Sequence, residues 1–440
     1  MITRNRIKLS EKQAALIWQQ AVGTELVSTE DEPVNPIYPG RINSDNGPDF
    51  RDAVILNGLR LTKGDVEVHV RSSDWYRHGH DADAAYNNVI LHVVMWHDCS
   101  SATLLQSGRQ IPLLCLAKAL KHQSYLLPYT LPCFRILDHM DGPILEKILT
   151  AAGEERFKQK ATQFQSQMLR PPLSEPGAGQ VLYRGMMRAL GYAKNTKPFE
   201  ELADRMSLSS IQSREGLTLK QALLLGTAGL LPSQRWQGGS VDGKEVGELD
   251  QMWLSAAGQV NAMRESDWSL AHIYPNNSPV RRIIAQSYLL ERYRKERLLP
   301  GILQLVKDTP LSGGHRVLEN GLTVASYGYW RDHFDFGITS KTRISSLLGH
   351  SKASEIAVNV ILPFASAWGE SADEAKLMEH AIDIYRNYPG IAGNCITRHM
   401  ARQLCLEELP DFTACHQQGL IHIFRSYCRE GRCSQCPLAG

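Results

Sequence analysis

The sequence predicts an α/β domain followed by a mostly α-helical domain that ends in a cluster of cysteines. Three observations carry this. Short β-type runs alternate with turn signals through roughly the first 120 residues. Helical spacing of apolar residues dominates from residue 143 onward. Cys428, Cys433 and Cys436 then crowd the end. The expected divisions are 1–120, 121–410 and a Cys-rich segment 411–440.

A chain of 440 residues allows two or three domains. Its 43% hydrophobic and 21% charged residues are ordinary for a soluble globular protein. A net charge of +2 excludes a protein-wide field drawing it to nucleic acid or membrane, and leaves local basic surfaces open. The polar start Met1-Ile2-Thr3-Arg4-Asn5-Arg6 does not read as a signal peptide. No apolar run reaches about 18 residues, so no transmembrane helix is expected and the expected compartment is the cytoplasm. There, nine unevenly placed cysteines point to metal binding more than to disulfides.

Residues 12–22 have helix composition, with Ser10 as N-cap and Leu16, Ile17 and Ala21 at helical spacing. The Pro-rich stretch 30–40 reads as a polar loop. Three short strands follow. The first, 50–56, ends at Asn57-Gly58, a strong hairpin signal. The second is 59–62. The third, 65–70, alternates: Val66, Val68 and Val70 face one way, and Asp65, Glu67 and His69 the other. A short helix at 82–86, a buried strand at 88–96 and a strand at 110–116 complete the α/β part. Helical patterns then recur at 143–160, 181–190, 199–206, 217–225, 280–298, 302–307, 354–362, 372–386 and 395–409. Residues 173–179 and 234–242 read as exposed loops.

The chemistry concentrates between Asn46 and Asp98, where five of the 15 histidines lie. Asp49 stands at the mouth of one strand, and Glu67 and His69 share a face of another. Adjacent strands lie about 5 Å apart, so Asp49 and Glu67 are expected to approach one point. Two acidic oxygens at a strand end suit Mg²⁺ or Mn²⁺, which activates water and stabilises charge on a phosphate. His69 would be a further ligand, a proton-transfer group or a phosphate contact. The plainer reading makes Asp49 and Glu67 turn and surface groups, and Asp65 a turn residue after Gly64. A second constellation is Asp74, His78, His80 and His92. His78 and His80 share a face in an extended chain and, with His92, suit a transition metal. Asp81 or Asp83 would then orient the imidazoles. The alternatives are a hydrogen-bonded loop and, for His92, a satisfied core histidine.

Pro48-Asp49 followed by Glu67-Val68-His69 resembles the PD-(D/E)XK nuclease superfamily, with His69 where that pattern has Lys. The order helix, three-strand meander, helical segment, strand is similar to that superfamily's core. The resemblance implies a mixed sheet with flanking helices, Asp49 and Glu67 as metal ligands, and phosphodiester cleavage. Asn46 to Phe50, Gly64 to His69, Ser73 to His80 and Leu91 to Val94 together also resemble an uncharacterised bacterial family, domain of unknown function 2851. Residues 221–231, Tyr274 to Arg281 and the ending from Tyr427-Cys428 look like further landmarks of it.

Cys428-x4-Cys433-x2-Cys436 favours a soft metal, zinc or an iron–sulfur cluster, with Cys415 or Cys133 as fourth ligand. Some nucleases of the superfamily join one upstream and three C-terminal cysteines in a [4Fe–4S] cluster, and this resemblance singles out Cys133. Arg281, Arg282, Arg292, Arg294 and Lys295 are either phosphate contacts or a solvated helix face. The leading expectation is a metal-dependent nuclease acting on DNA or RNA. Its alternatives are a nucleic-acid-binding module without turnover and a His-ligated metallohydrolase.

Overall fold

A computed structural model describes residues 10–57, 60–122, 133, 142–169, 175–192, 194–235, 244–256, 258, 260–271, 273–404, 406 and 412–438. The N-terminal region is built on a mixed sheet, and the remainder is helical. No helix among the described residues is long and apolar enough to cross a membrane. Two compact units interleave along the chain: a sheet unit of Met1–Leu149, Gly393–Leu409 and Leu420–Gly440, and a helical unit of Thr150–Ala392 and Pro410–Gly419. The segment 411–440 is thus shared between the two.

The main sheet has the order β1 (Leu26–Val27), β2 (Pro33–Tyr38), β4 (Phe50–Asn57), β5 (Arg60–Arg71), β6 (Val89–Trp96) and β9 (Leu113–Cys115). β3 (Arg41–Ile42) also pairs with β4, and β7 (Thr103–Leu104) pairs with β8 (Gln110–Ile111). β2, β4 and β5 form an antiparallel meander; β6 runs parallel to β5, and β9 parallel to β6.

Three expectations need correction here. The Pro-rich stretch is not a loop. Val34 and Ile37 are buried, and β2 pairs with both β1 and β4. A proline removes only its own donor, so a strand survives where the ladder does not need that N–H. The two short strands after the hairpin are one continuous β5, paired from Asn57↔Arg60 onward; Gly58 and Leu59 themselves lie outside the described residues. Gly64 does not break the strand. It admits β6, because a Cβ there would lie 2.5 Å from the Asn88 carbonyl oxygen and 2.4 Å from Ile90 Cγ2. Pro112, by contrast, does divide the strand expected at 110–116.

Helix α1 (Glu11–Gln20) packs on β5 and β6. It buries Ala14 and Trp18, while Leu16 is exposed. The Trp18 indole donates to the Pro39 carbonyl at 3.0 Å. Val66, Val68, Leu91 and Val93 share this core. The alternation of β5 then turns Glu67 and His69 to the opposite face, where Glu67 stands in register with His92 of β6. A β-bulge sets the approach of β4. Phe50 pairs with Val66 and Ala53 with Gly64, so Arg51 and Asp52 together oppose Asp65. Asp52 takes a left-handed φ of 59°. The Asp65 carboxylate, strand-borne rather than in a turn, accepts the Asp52 N–H at 3.1 Å. A bulge bends its strand and re-aims the neighbouring side chain; here that side chain is Asp49.

The helical unit packs helix Gly142–Met168 from Thr150 onward, Glu175–Leu190, Leu217–Thr227, Pro279–Arg292, Leu298–Lys307 and Ala375–Arg386 around one apolar core. Residues 175–179, expected as loop, begin a helix, and 234–235 end the short helix Pro232–Arg235; 173–174 and 236–242 lie outside the described residues. The helical pattern at 280–298 is broken at 293–297. Arg281 and Arg282 are buried in the interior rather than on a solvated or phosphate-binding face. Arg282 donates to Leu347 O, Tyr192 OH and Asn277 Oδ1. Arg292 caps the carbonyls of Asn320, Gly321 and Thr323, and Arg294 pairs with Glu291.

Candidate metal centre

The polar face of β5 is covered by the short helix α2 (Asp74–Arg77) and by the turn Ala84–Tyr86. Trp75 fills the space behind the histidines, with ring centroids 5.4 Å from His80 and 5.0 Å from His92. Tyr86 stacks on His80 at 3.8 Å. The chain leaves α2 at His78 and turns through Gly79, whose φ is 75°. His78 and His80 are thereby brought over His69 by a helix end and a turn, not by an extended chain.

Donor atoms of His69, His78 and His80 all lie within 4.8 Å of one another. His69 Nε2 is 3.2 Å from His78 Nδ1. Glu67 Oε1 is 3.4 Å from His69 Nε2 and 3.3 Å from His80 Nε2. The buried His80 Nε2 nevertheless makes no hydrogen bond. Its 3.3 Å approach to Glu67 lacks the geometry of a hydrogen bond. Glu67 Oε2 is occupied separately by the Asp49 N–H at 2.9 Å, and the Val68 N–H donates to Asp49 Oδ2 at 3.2 Å. These two bonds hold Asp49 beside Glu67.

His92 stands one layer back. Its Nε2 lies 2.9 Å from His69 Nδ1, and its Nδ1 lies 3.2 Å from Thr103 Oγ1. This chain orients the His69 ring and turns its Nε2 toward His78 and Glu67, the outer hydrogen bonding that ligand histidines use. Thr103 and Tyr86 carry no sequence signal for these roles. Asp74 is not part of the cluster. Its carboxylate accepts the Arg71 N–H at 3.1 Å and pairs with Arg77 at 2.7 Å, bracing the start of α2. Asp83 caps the turn at Ala84–Tyr86.

The orphaned His80 nitrogen and the convergent Nε2, Nδ1, Nε2 and Oε1 donors fit a divalent transition metal. Three imidazoles and one carboxylate suit Zn²⁺ or Fe²⁺ better than Mg²⁺. His69 and His80 are buried while His78 is exposed, so the centre opens to solvent on one side.

Burial, then the facing imidazoles of His92, His80 and His78, push His69 down to about 2. Burial, with His80 and His97, pushes His92 down to about 3. Burial and the Glu67 charge raise Asp49 to about 7. In the unfolded chain an imidazole takes up its proton near pH 6.5. The unfolded state therefore binds more protons below that pH, and the stability that neutral His69 and His92 contribute, full above pH 6.5, is lost as pH falls. Asp49 acts in the opposite sense, since the fold keeps its proton from about pH 3.8 up to about 7. Burial also pushes His399 down to about 4, so between pH 4 and 6.5 the net difference is three protons less one. The unfolding free energy of the metal-free protein should fall by about 2.7 kcal/mol per pH unit on acidification. Asp49→Asn removes the offset and should steepen that slope by about half. Denaturant midpoints measured across this range check it, and an unchanged slope refutes it.

Of the C-terminal set, Cys133, Cys428, Cys433 and Cys436 lie in the sheet unit, and Cys415 in the helical unit. There Cys415 is buried, with its thiol directed to the Thr150 carbonyl and beside Tyr385.

No curated protein and no solved structure matches the chain. A family model does, over residues 11–391, which takes in the whole imidazole–carboxylate constellation and stops short of the Tyr427-Cys428 ending. The chain therefore belongs to the family described as protein of unknown function (DUF2851).

Proposed function

We propose that the protein is a metal-dependent hydrolase of nucleic-acid phosphodiesters, working at a centre held by Glu67, His69, His78 and His80. The observation that carries this reading is the convergence of those four donors beside a carboxyl, Asp49, raised to about 7. A bound transition metal would supply Lewis acidity and lower the pKa of water. Asp49, near the midpoint of its titration at neutral pH, is suited to accept a proton and return it. His92 holds His69 neutral and correctly turned. Glu67 divides its oxygens between the centre and the Asp49 N–H, so the two acids move as one. The phosphodiester substrate rests on the resemblance of Pro48-Asp49 and Glu67-Val68-His69 to the PD-(D/E)XK sequence pattern.

The expected ions change with the donor set: Zn²⁺ or Fe²⁺ in place of the Mg²⁺ anticipated for two carboxylates, with Mn²⁺ ahead of Mg²⁺. The test is metal analysis with cleavage assays on single- and double-stranded DNA and RNA. Wild type should hold about one ion at this centre. His80→Ala and Glu67→Gln should lose the ion and the cleavage together, with affinity falling at least 10-fold for His92→Ala. Metal bound without cleavage of any of these substrates sinks the nuclease reading. Salt-sensitive binding without turnover would instead identify a binding module.

A further inference from the structure

The sheet unit holds a second polar site that shares no residue with the imidazole centre. It is a cleft of about 800 Å³, the size of a small-molecule pocket, lined by the end of α1, the turn from β2 into β3, and the helix Cys395–Gln403. Gly40, at a left-handed φ of 98°, makes that turn and brings Tyr38 and Arg41 to the cleft. Arg398 and Arg402, one helical turn apart, reach it from the helix. No carboxylate lines the cleft among the described residues.

The positive charge is that of side chains, not of the helix start. Asn394 Oδ1 already accepts the N–H groups of Ile396 and Thr397, at 2.9 and 3.0 Å. Arg41 is paired with Asp52 at 3.5 Å, both side chains being exposed, and Arg398 donates to the Gly393 carbonyl at 2.8 Å. A guanidinium has five N–H donors in a planar fork, so Arg41 and Arg398 keep most of theirs for a ligand. Two further lining residues carry unmet polar atoms. Gln403, 5% exposed, approaches His399 one turn away. Yet Gln403 Oε1 and His399 Nε2, both buried, complete no hydrogen bond among the described residues. The His399 ring is fixed by edge contacts with Tyr38 at 5.0 Å and Phe424 at 5.8 Å. A buried polar atom without a partner is costly, and a ligand that reaches it removes the cost.

We propose that this cleft binds a phosphomonoester group, its terminal oxygens taken by the forks of Arg41, Arg398 and Arg402. Three cations with no lining acid favour an anion of more than one charge. A carboxylate offers one charge and two oxygens. A phosphomonoester offers up to two charges and three terminal oxygens, which match three forks. His399 Nε2 can donate to one of those oxygens, and Gln403 Oε1 can accept from a P–OH or from a hydroxyl on the rest of the ligand. The group can belong to a free phosphorylated metabolite or to the phosphorylated end of a nucleic-acid strand.

The full chain, stripped of metal with EDTA, is titrated with inorganic phosphate by calorimetry. Wild type should bind one phosphate per chain with a Kd of about 1 mM or tighter. Arg398→Gln and Arg402→Gln, both at exposed positions, should each weaken binding at least about 10-fold. Arg398→Lys should recover little, because an ammonium lacks the fork. Arg214→Gln, which removes an exposed charge outside the cleft, and His80→Ala should match wild type. A short DNA oligonucleotide bearing a 5′-phosphate separates the two sources. Binding at least about 10-fold tighter than inorganic phosphate, and lost with a 5′-hydroxyl, identifies a strand end; binding no tighter identifies a free metabolite. No saturation up to about 10 mM phosphate, an equal loss in Arg214→Gln, or a loss confined to His80→Ala overturns the proposal.

Discussion

Asp49→Asn lowers turnover by about 10²–10⁴-fold and leaves the metal in place. That range is what a positioned proton acceptor contributes. The side-chain amide keeps the size of the carboxyl and an oxygen for the Val68 N–H, so the start of β4 is undisturbed. If the donors to the ion are Glu67 and three imidazoles, as proposed, metal content per chain should equal that of wild type. The measurement is turnover on an oligonucleotide beside metal analysis of the same sample. If Asp49→Asn loses the ion instead, Asp49 is a ligand and the division of labour between the two acids is wrong. If both ion and turnover are retained, the proton goes elsewhere.

The second large effect is on stability. Arg281 is fully buried. It donates to the carbonyls of Trp330 at 2.9 Å and Ser346 at 3.2 Å, to Ser326 Oγ at 3.1 Å, and to the His333 carbonyl. One planar guanidinium thus satisfies four acceptors on two stretches of chain, 326–333 and 346. Arg281→Leu leaves them unpaired, at about 1–3 kcal/mol each. A loss of at least about 4 kcal/mol is expected, a large share of a typical domain's stability. Arg281→Lys should recover little, because an ammonium cannot span the fork. Thermal unfolding and soluble yield check this; a Leu variant within about 1 kcal/mol of wild type would refute it.

Much of the site was legible in the sequence because strand alternation is a local property. Val66, Val68 and Val70 against Glu67 and His69 can be read without knowing any neighbour. The Asp49–Glu67 approach followed from the hairpin. What could not be read is set by tertiary placement. Nothing in Glu30 to Gly40 announces that β4 supplies the ladder partners which make it a strand. His78 and His80 were grouped by two-residue spacing, a strand argument, yet they converge through a helix end and a glycine turn. His92 was grouped with them as a ligand, but its register opposite Glu67 puts it behind His69. Asp74 was drawn in by type alone, and its carboxylate is consumed by the first turn of α2. The buried arginines show the same limit from the other side: a basic run says charge, and only the fold says which carbonyls claim it.

The bulge at Arg51 and Asp52 makes the candidate centre depend on a residue count more than on residue chemistry. Strand side chains have a period of two, so a shift of one residue exchanges the faces. Asp52 is the supernumerary residue between Asp49 and the regular pairing of β4. Its side chain is exposed, and glycine suits its φ, so Asp52→Gly should be silent for metal content. Deleting Asp52 should be disabling: the ladder beyond Ala53 would stay paired while Asp49 turned to the wrong side of the sheet. Comparing metal content and turnover of the two variants tests this. Along this strand, substitutions would be tolerated where a change of length by one would not.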